Sequence, residues 1–147
     1  MRVTTVDTAD RKVIVTEVGT RDGFQAESVF IPTPVKVAVL DALIDAGMKS
    51  FEATSFVSPR AVPQMADAAQ VMAQVTRREG VRLQALVPNA RGAEAAAAAG
   101  VDMMVCFVSA SESHNQTNLN KPIAASLENI AEVAGIGRDA GIPLRGA

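Results

Sequence analysis

The feature that most constrains this chain is its regular alternation between short apolar segments and longer segments with helical periodicity. Strand-like runs are predicted at residues 13–18, 50–53, 82–86, 103–108 and 143–145. Helix-like segments are predicted between them, at residues 33–46, 65–78, 89–99 and 126–140. An alternation of this kind predicts an α/β fold in which a parallel sheet is joined by right-handed helical crossovers.

Local signals support several of these boundaries. Thr33 is a candidate N-cap for the first helix, and Gly47 is placed to end it. Asn89 and Ser126 are predicted to cap the third and fourth helices. Residues 115–122 are rich in turn-forming side chains, and this pattern predicts a surface loop after the fourth strand.

Length and composition narrow the class of protein. The 147 residues suffice for one domain with a sizeable core, and no linker divides them. A net charge of −2 without clustered Lys or Arg predicts no nucleic-acid surface. The single cysteine, Cys106, excludes an intrachain disulfide and is predicted to be a small buried hydrophobe. No apolar run approaches about 20 residues, so we expect a soluble, cytoplasmic protein that does not enter a membrane.

Charged residues follow the first strand and lie within the second. Arg21 and Asp22 stand side by side between two glycines, and Glu52 interrupts an apolar run. Glutamate is rarely buried without a partner, and Arg21 is a candidate for that partner. An ordinary turn with a surface ion pair is the alternative. Because the carboxyl ends of parallel strands meet at one edge, these side chains are predicted to converge.

Several motifs resemble the 3-hydroxy-3-methylglutaryl-CoA lyase family. The resemblance rests on residues 17–25 (EVGTRDGFQ), 50–59 (SFEATSFVSP), 62–67 (VPQMAD), 86–92 (LVPNARG), 110–115 (ASESHN) and 133–146. The first two blocks are specific, whereas the others agree mainly in order and spacing. Together they cover nearly the whole chain.

The resemblance implies a (β/α)8 TIM barrel, a fold that takes about 250 residues. This chain holds about four βα units and the start of a fifth strand, so residues 1–147 are expected to be the N-terminal half of such a barrel, a single and apparently truncated domain. Open sheet edges are a liability, and a homo-oligomer is therefore expected. A small, doubly wound open parallel sheet is the alternative fold.

The resemblance also implies an activity. The substrate would be an acyl-CoA, 3-hydroxy-3-methylglutaryl-CoA, cleaved by a metal-dependent retro-Claisen reaction to acetyl-CoA and acetoacetate, as in leucine degradation. Asp22 would bind a divalent cation, Mg2+ or Mn2+, and Arg21 would stabilise the developing enolate. Glu52 would orient Arg21 or the substrate hydroxyl, or else be a purely structural partner. Gln25 and Ser55 would line the substrate pocket.

The family's remaining metal ligands, two histidines and an asparagine, and its catalytic cysteine have no counterpart in this sequence. His114, the single histidine, is predicted to have a surface or loop role. We therefore expect negligible turnover from the 147 residues alone. Two other functions stay open: a related Claisen-type synthase of the isopropylmalate or homocitrate kind, and a non-catalytic half-barrel.

Overall fold

The structure, a computed structural model, describes residues 13–147. Within them, five α-helices and four β-strands alternate, and none of these helices is both long and apolar enough to cross a membrane. In chain order the elements are α1 (Thr33–Asp45), β1 (Ser50–Ser55), α2 (Ala68–Gln74), β2 (Arg82–Leu86), α3 (Ala90–Ala98), β3 (Met103–Cys106), α4 (Glu112–Leu119), α5 (Ile123–Asp139) and β4 (Leu144–Gly146). A π-helical turn, Gly19–Gly23, precedes α1, and a 3-10 turn, Pro63–Met65, precedes α2.

The four strands form one parallel sheet in the order β1-β2-β3-β4. A doubly wound sheet reverses its strand order near the middle, whereas this order advances by one strand at each crossover. Right-handed crossovers that all advance in one direction place every helix on the same face. The sheet therefore has the topology of a barrel wall, and the alternative of a doubly wound sheet is wrong.

The strand predicted at residues 13–18 is reduced to a single parallel bridge between Glu17 and Phe51. Two backbone hydrogen bonds hold it: the Glu17 amide donates to the Ser50 carbonyl at 2.9 Å, and the Glu52 amide donates to the Glu17 carbonyl at 2.8 Å. Val13, Ile14 and Val15 are exposed and outside any strand. An apolar, β-branched run favours a strand, but a strand forms only where a neighbouring strand provides backbone hydrogen-bond partners.

The helix-covered face of the sheet holds the hydrophobic core. Phe51, Leu83 and Met104 project from consecutive strands and are almost fully buried. Leu40 packs against them from α1 and Val133 from α5. Buried alanines on the inner side of α3 bring that helix close to the strands, as its alanine-rich sequence suggests. The opposite face carries the polar side chains described below.

Strand β1 contains a bulge. Glu52 pairs with Gln84, but the next paired residue is Thr54, so Ala53 is the extra residue. Ser55 then pairs with Leu86, which lies on the same face of β2 as Gln84 because the two are two residues apart. The bulge thus places Ser55 on the face of Glu52 although three positions separate them.

Most predicted helices are present with shifted ends. Helix α1 matches its prediction, although Thr33 is not the cap: its hydroxyl donates to Asp67 at 2.7 Å. Helix α3 and its Asn89 cap are confirmed, since the Asn89 side chain accepts from the Gly92 amide. Helix α2 ends at Gln74 rather than at residue 78, because the Thr76 amide donates instead to the Asp41 carboxylate at 2.9 Å.

Two predictions near the fourth crossover are wrong. Residues 115–122 are not a loop, because most of them belong to α4, whose N-cap is Ser111 and whose C-cap, Asn120, has the left-handed conformation. Helix α5 begins at Ile123, directly after Pro122, rather than at Ser126. The buried Ser126 hydroxyl accepts a hydrogen bond from Asn115 at 2.8 Å. Tertiary contacts therefore override the local turn and cap signals here.

Candidate active site at the carboxyl end of the sheet

The turn after Glu17 positions two of the predicted site residues. The Phe24 amide donates to the Gly19 carbonyl five residues earlier, which closes the π-helical turn, and the amides of Arg21 and Asp22 both donate to the Val18 carbonyl, at 3.0 and 2.7 Å. The Thr20 hydroxyl donates to the Glu52 carbonyl at 3.3 Å and ties the turn to β1. Isolated π-helical turns are rare and occur frequently at functional sites.

Arg21 forms the predicted ion pair with Glu52. The Arg21 Nε donates to Glu52 Oε1 at 2.6 Å, and a terminal nitrogen of the same guanidinium contacts the same oxygen. The Glu52 side chain is 3% exposed and that of Arg21 is 17% exposed. A carboxylate this deeply buried is tolerated only with charged partners, and the pair fixes the orientation of the guanidinium.

Arg145 is a second partner of Glu52 that the sequence analysis did not identify. Its Nη2 donates to Glu52 Oε2 at 2.9 Å across the face without helices. Residues 52 and 145 lie in β1 and β4, whose backbones would be about 14 Å apart in a flat sheet. The contact therefore joins the first and last strands across a concave surface.

The feature that could have identified Arg145 as a site residue is its register with the neighbouring strands. It pairs with Val105, which pairs with Leu86, which in turn pairs with Ser55. Residues paired across adjacent strands point to the same face. A charged residue in this row of the sheet must reach either solvent or a buried partner on the concave side, but the row is known only once the strands are aligned.

Asp22 completes the cluster at its exposed edge. Arg21 Nη1 donates to Asp22 Oδ1 at 2.7 Å, so the Arg21 guanidinium bridges Asp22 and Glu52. The Asp22 side chain is 65% exposed. The structure thus brings Arg21, Asp22 and Glu52 together in one charged cluster, with Arg145 on its far side.

The donor set limits what metal these residues hold. Nowhere in residues 13–147 do three or more His, Cys, Asp or Glu side chains come close enough to form a metal site. Within the charged cluster, Asp22 alone offers an exposed, hard oxygen donor. Such a donor fits an ion of the Mg2+ type, which is often bound through one or two carboxylates and keeps several waters.

The other two predicted pocket residues are placed differently. Gln25 is exposed beyond the π-helical turn. Ser55 is fully buried, and its Oγ donates to the Leu86 carbonyl at 3.3 Å. Neither side chain forms a hydrogen bond with the charged cluster, and their roles in substrate binding stay predictions.

His114 and Cys106 behave as expected of residues outside the site. The exposed His114 ring lies 2.9 Å from the Ser109 hydroxyl through Nδ1 and 3.1 Å from the Asn118 amide nitrogen through Nε2. Cys106 is buried, and its thiol donates to the Val87 carbonyl at 3.2 Å. Burial raises the pKa of the Cys106 thiol to about 11, which leaves little reactive thiolate near neutral pH.

Comparisons with known proteins show the family to which the chain is related. Residues 12–146 match the sequence model of the family described as HMGL-like. The chain is 48% identical over 136 residues to the mitochondrial hydroxymethylglutaryl-CoA lyase of Gallus gallus, a match that covers 92% of this chain and 46% of that protein. It is 43% identical over 134 residues to the cytoplasmic 3-hydroxy-3-methylglutaryl-CoA lyase of Rattus norvegicus, covering 91% of this chain and 39% of that protein.

A solved structure confirms the predicted fold class. The HMG-CoA lyase from Acinetobacter baumannii, in complex with coenzyme A and 3-methylmalate, superposes with a TM-score of 0.86 at 32% identity. The match covers 90% of this chain and 43% of that chain. The parallel sheet described above is thus part of a TIM-barrel wall. The chain spans less than half the length of the curated relatives it matches.

Proposed function

The chain belongs to the HMGL-like family, and we propose from this membership that it supplies the arginine, aspartate and glutamate of a 3-hydroxy-3-methylglutaryl-CoA lyase site. The proposed reaction is a retro-Claisen cleavage to acetyl-CoA and acetoacetate. The observation that carries the proposal is the Arg21 guanidinium held between the buried Glu52 and the exposed Asp22.

The cleavage needs no co-reactant. The tertiary hydroxyl loses its proton, the adjacent carbon–carbon bond breaks, and the electron pair passes to the thioester fragment as an enolate. Acetoacetate leaves with the new ketone, and protonation of the enolate carbon gives acetyl-CoA. Negative charge therefore develops on the thioester oxygen, and a fixed cation beside that oxygen lowers the barrier.

We assign to Arg21 the stabilisation of this negative charge. Its guanidinium is largely withdrawn from solvent, and Glu52 holds it through Nε and one terminal nitrogen. Because its orientation is set before substrate binds, little reorganisation accompanies the reaction. Glu52 acts through Arg21 and is a positioning residue in this mechanism.

We propose that Asp22 binds the divalent cation. When bound, Mg2+ or Mn2+ would lower the pKa of the substrate hydroxyl and polarise its oxygens. Asp22 is the one carboxylate of the cluster that faces solvent, and its Oδ2 is not used by Arg21.

The test measures acetyl-CoA release from 3-hydroxy-3-methylglutaryl-CoA by a protein that carries this sequence, with Mg2+ and with excess EDTA. We expect Arg21→Gln to lower kcat by about 10² to 10³, as for loss of an oxyanion donor. Asp22→Asn is expected to abolish the response to added Mg2+. Arg138→Gln, at the exposed end of α5, is the matched control.

Undiminished activity in EDTA would refute the metal assignment, and an Arg21→Gln variant within twofold of the parent would refute the role of Arg21. Condensation of acetyl-CoA with a 2-oxo acid in the same assay, without cleavage, would favour the synthase instead.

The remaining expectations stand as proposals for the whole protein. We propose a cytoplasmic homo-oligomer that takes an acyl-CoA substrate. The coenzyme A complex of the A. baumannii relative and the cytoplasmic relative support the substrate class and the compartment. For this chain alone, the exposed apolar side chains of Val13, Ile14 and Val15 and the open edges of the sheet favour self-association. Light scattering coupled to size exclusion tests it, and a monomer at micromolar concentration would contradict it.

A further inference from the structure

The segment that leaves the site turn is held by one side chain, Gln64. The Gln64 Nε2 donates to the Glu27 and Val29 carbonyls, both at 2.7 Å, and its Oε1 accepts from the Ile31 amide at 3.2 Å. Within the described chain, no backbone group of residues 28–31 pairs with another backbone group. A single amide thus takes the place of a strand neighbour for this segment.

Gln64 is itself fixed by a buried ion pair. The Lys36 Nζ contacts the Gln64 main-chain carbonyl and lies 2.6 Å from Asp67 Oδ1. The other Asp67 oxygen accepts from the Thr33 hydroxyl at 2.7 Å. Lys36 and Asp67 are both buried, so each depends on the other for its charge to be tolerated.

Lys36 also touches the anchored segment. Its Nζ lies 4.6 Å from the centroid of the Phe30 ring, within the range of a cation–π contact. Phe30 and Val29 are otherwise exposed apolar residues. The ion pair therefore supports the segment from two sides, through the Gln64 backbone and through the aromatic ring.

The anchored segment is continuous with the site turn. The Ala26 amide donates to the Gly23 carbonyl at 3.1 Å, and the Glu27 amide donates to the Phe24 carbonyl at 3.2 Å. Glu27, whose carbonyl Gln64 binds, is therefore five residues beyond Asp22 along a hydrogen-bonded turn. A hydrogen-bonded turn therefore links the anchored segment directly to the backbone of Arg21 and Asp22.

We propose that Gln64 is a positioning residue, which fixes the path of residues 27–31 and thereby the orientation of the turn that carries Arg21 and Asp22. Its importance for catalysis rests on the proposed function. The anchoring itself depends on neither metal nor substrate, so it is tested separately.

The experiment is hydrogen exchange of this chain and its Gln64→Met variant, read residue by residue. Methionine keeps the length of the side chain and removes all three hydrogen bonds. We expect the Ile31 amide to exchange at least about tenfold faster, and the Arg21 and Asp22 amides several-fold faster. Amides of β2 should be unchanged. Gln74→Met is the control, because Gln74 is exposed at the end of α2.

A second readout is cleavage by a glutamate-specific protease after Glu27. It should be faster in Gln64→Met than in Gln74→Met, since cleavage requires the segment to leave its anchor. Should Gln64→Met fail to fold, Gln64→Glu replaces it. Glutamate keeps the acceptor for Ile31 and loses both donors, so faster cleavage after Glu27 is again expected.

Two results would overturn the proposal. Exchange and cleavage equal to those of Gln74→Met would show that Gln64 does not anchor the segment. Faster exchange at Ile31 with unchanged exchange at Arg21 and Asp22 would show that the anchor does not position the site turn.

Discussion

Glu52→Gln is the substitution whose cost follows most directly from the geometry. The side chain keeps its shape but loses its charge, and one oxygen becomes an NH2 group that faces a guanidinium. Arg21 and Arg145 then have no buried counter-charge. Hydrogen bonds to charged groups contribute about 1.5–3 kcal/mol each, and neutral ones about 1 kcal/mol.

Weakening both bonds gives a loss of about 3 kcal/mol in the free energy of unfolding. Removing one partner of a fully buried ion pair costs about 3–5 kcal/mol of stability, which sets the upper limit here. Arg21 is 17% exposed and Arg145 is 37% exposed, so water compensates part of the loss. A chain of 147 residues has an unfolding entropy of about 0.3 kcal/mol/K. The melting temperature should therefore fall by about 10 °C.

The assay is urea and thermal unfolding followed by circular dichroism, with Glu94→Gln as the control because Glu94 is exposed on α3. A double-mutant cycle with Arg145→Met measures the coupling across the concave face, expected at about 1–2 kcal/mol. A loss for Glu52→Gln of less than about 1 kcal/mol, or a coupling near zero, would refute the argument that Glu52 binds both guanidinium groups.

The remaining predictions concern the packing around the site. In Gly92→Ala a Cβ would lie 2.6 Å from the Phe56 carbonyl oxygen, so we expect a loss of about 1–3 kcal/mol in urea unfolding. Gly135→Ala, where nothing lies within 4 Å, should instead gain about 0.5–1 kcal/mol, and equal effects would contradict the model of close packing. Because burial raises the pKa of Cys106 to about 11, iodoacetamide at pH 8 should modify it slowly in the folded chain and quickly in urea. Since the unfolded thiol ionises first, stability should fall as the pH rises from about 9 to 11, and Cys106→Ser should remove that part of the fall.

The sequence predicted those elements whose ends are set by local chemistry. Strand β2 and helix α3 lie where predicted, and the predicted stops at Gly47 and Gly141 have the positive φ that ends a helix. The ion pair between Arg21 and Glu52 was also predictable, because a glutamate inside an apolar strand requires a cation.

What the sequence did not predict depends on contacts between distant residues. Arg145 became a partner of Glu52 only through the register of four strands. Helix α4 forms in a polar segment because Asn115, buried inside it, accepts from the Ser109 amide and donates to the Lys121 carbonyl and Ser126. The anchoring role of Gln64 could not be predicted, because its three backbone partners lie more than thirty positions earlier.

The extra residue in β1 changes which side chains of that strand share a face of the sheet. Side chains at 50, 52 and 55 share one face, so the spacing along the strand is two and then three. Removing Ala53 would delete the extra residue, and strict alternation would then leave Glu52 and Ser55 on the polar face and Thr54 on the opposite face. If Ala53 were kept and paired regularly, Thr54 would instead share the face of Glu52 and Ser55 would point to the helix-covered side, so the bulge decides which hydroxyl side chain lies on the polar face.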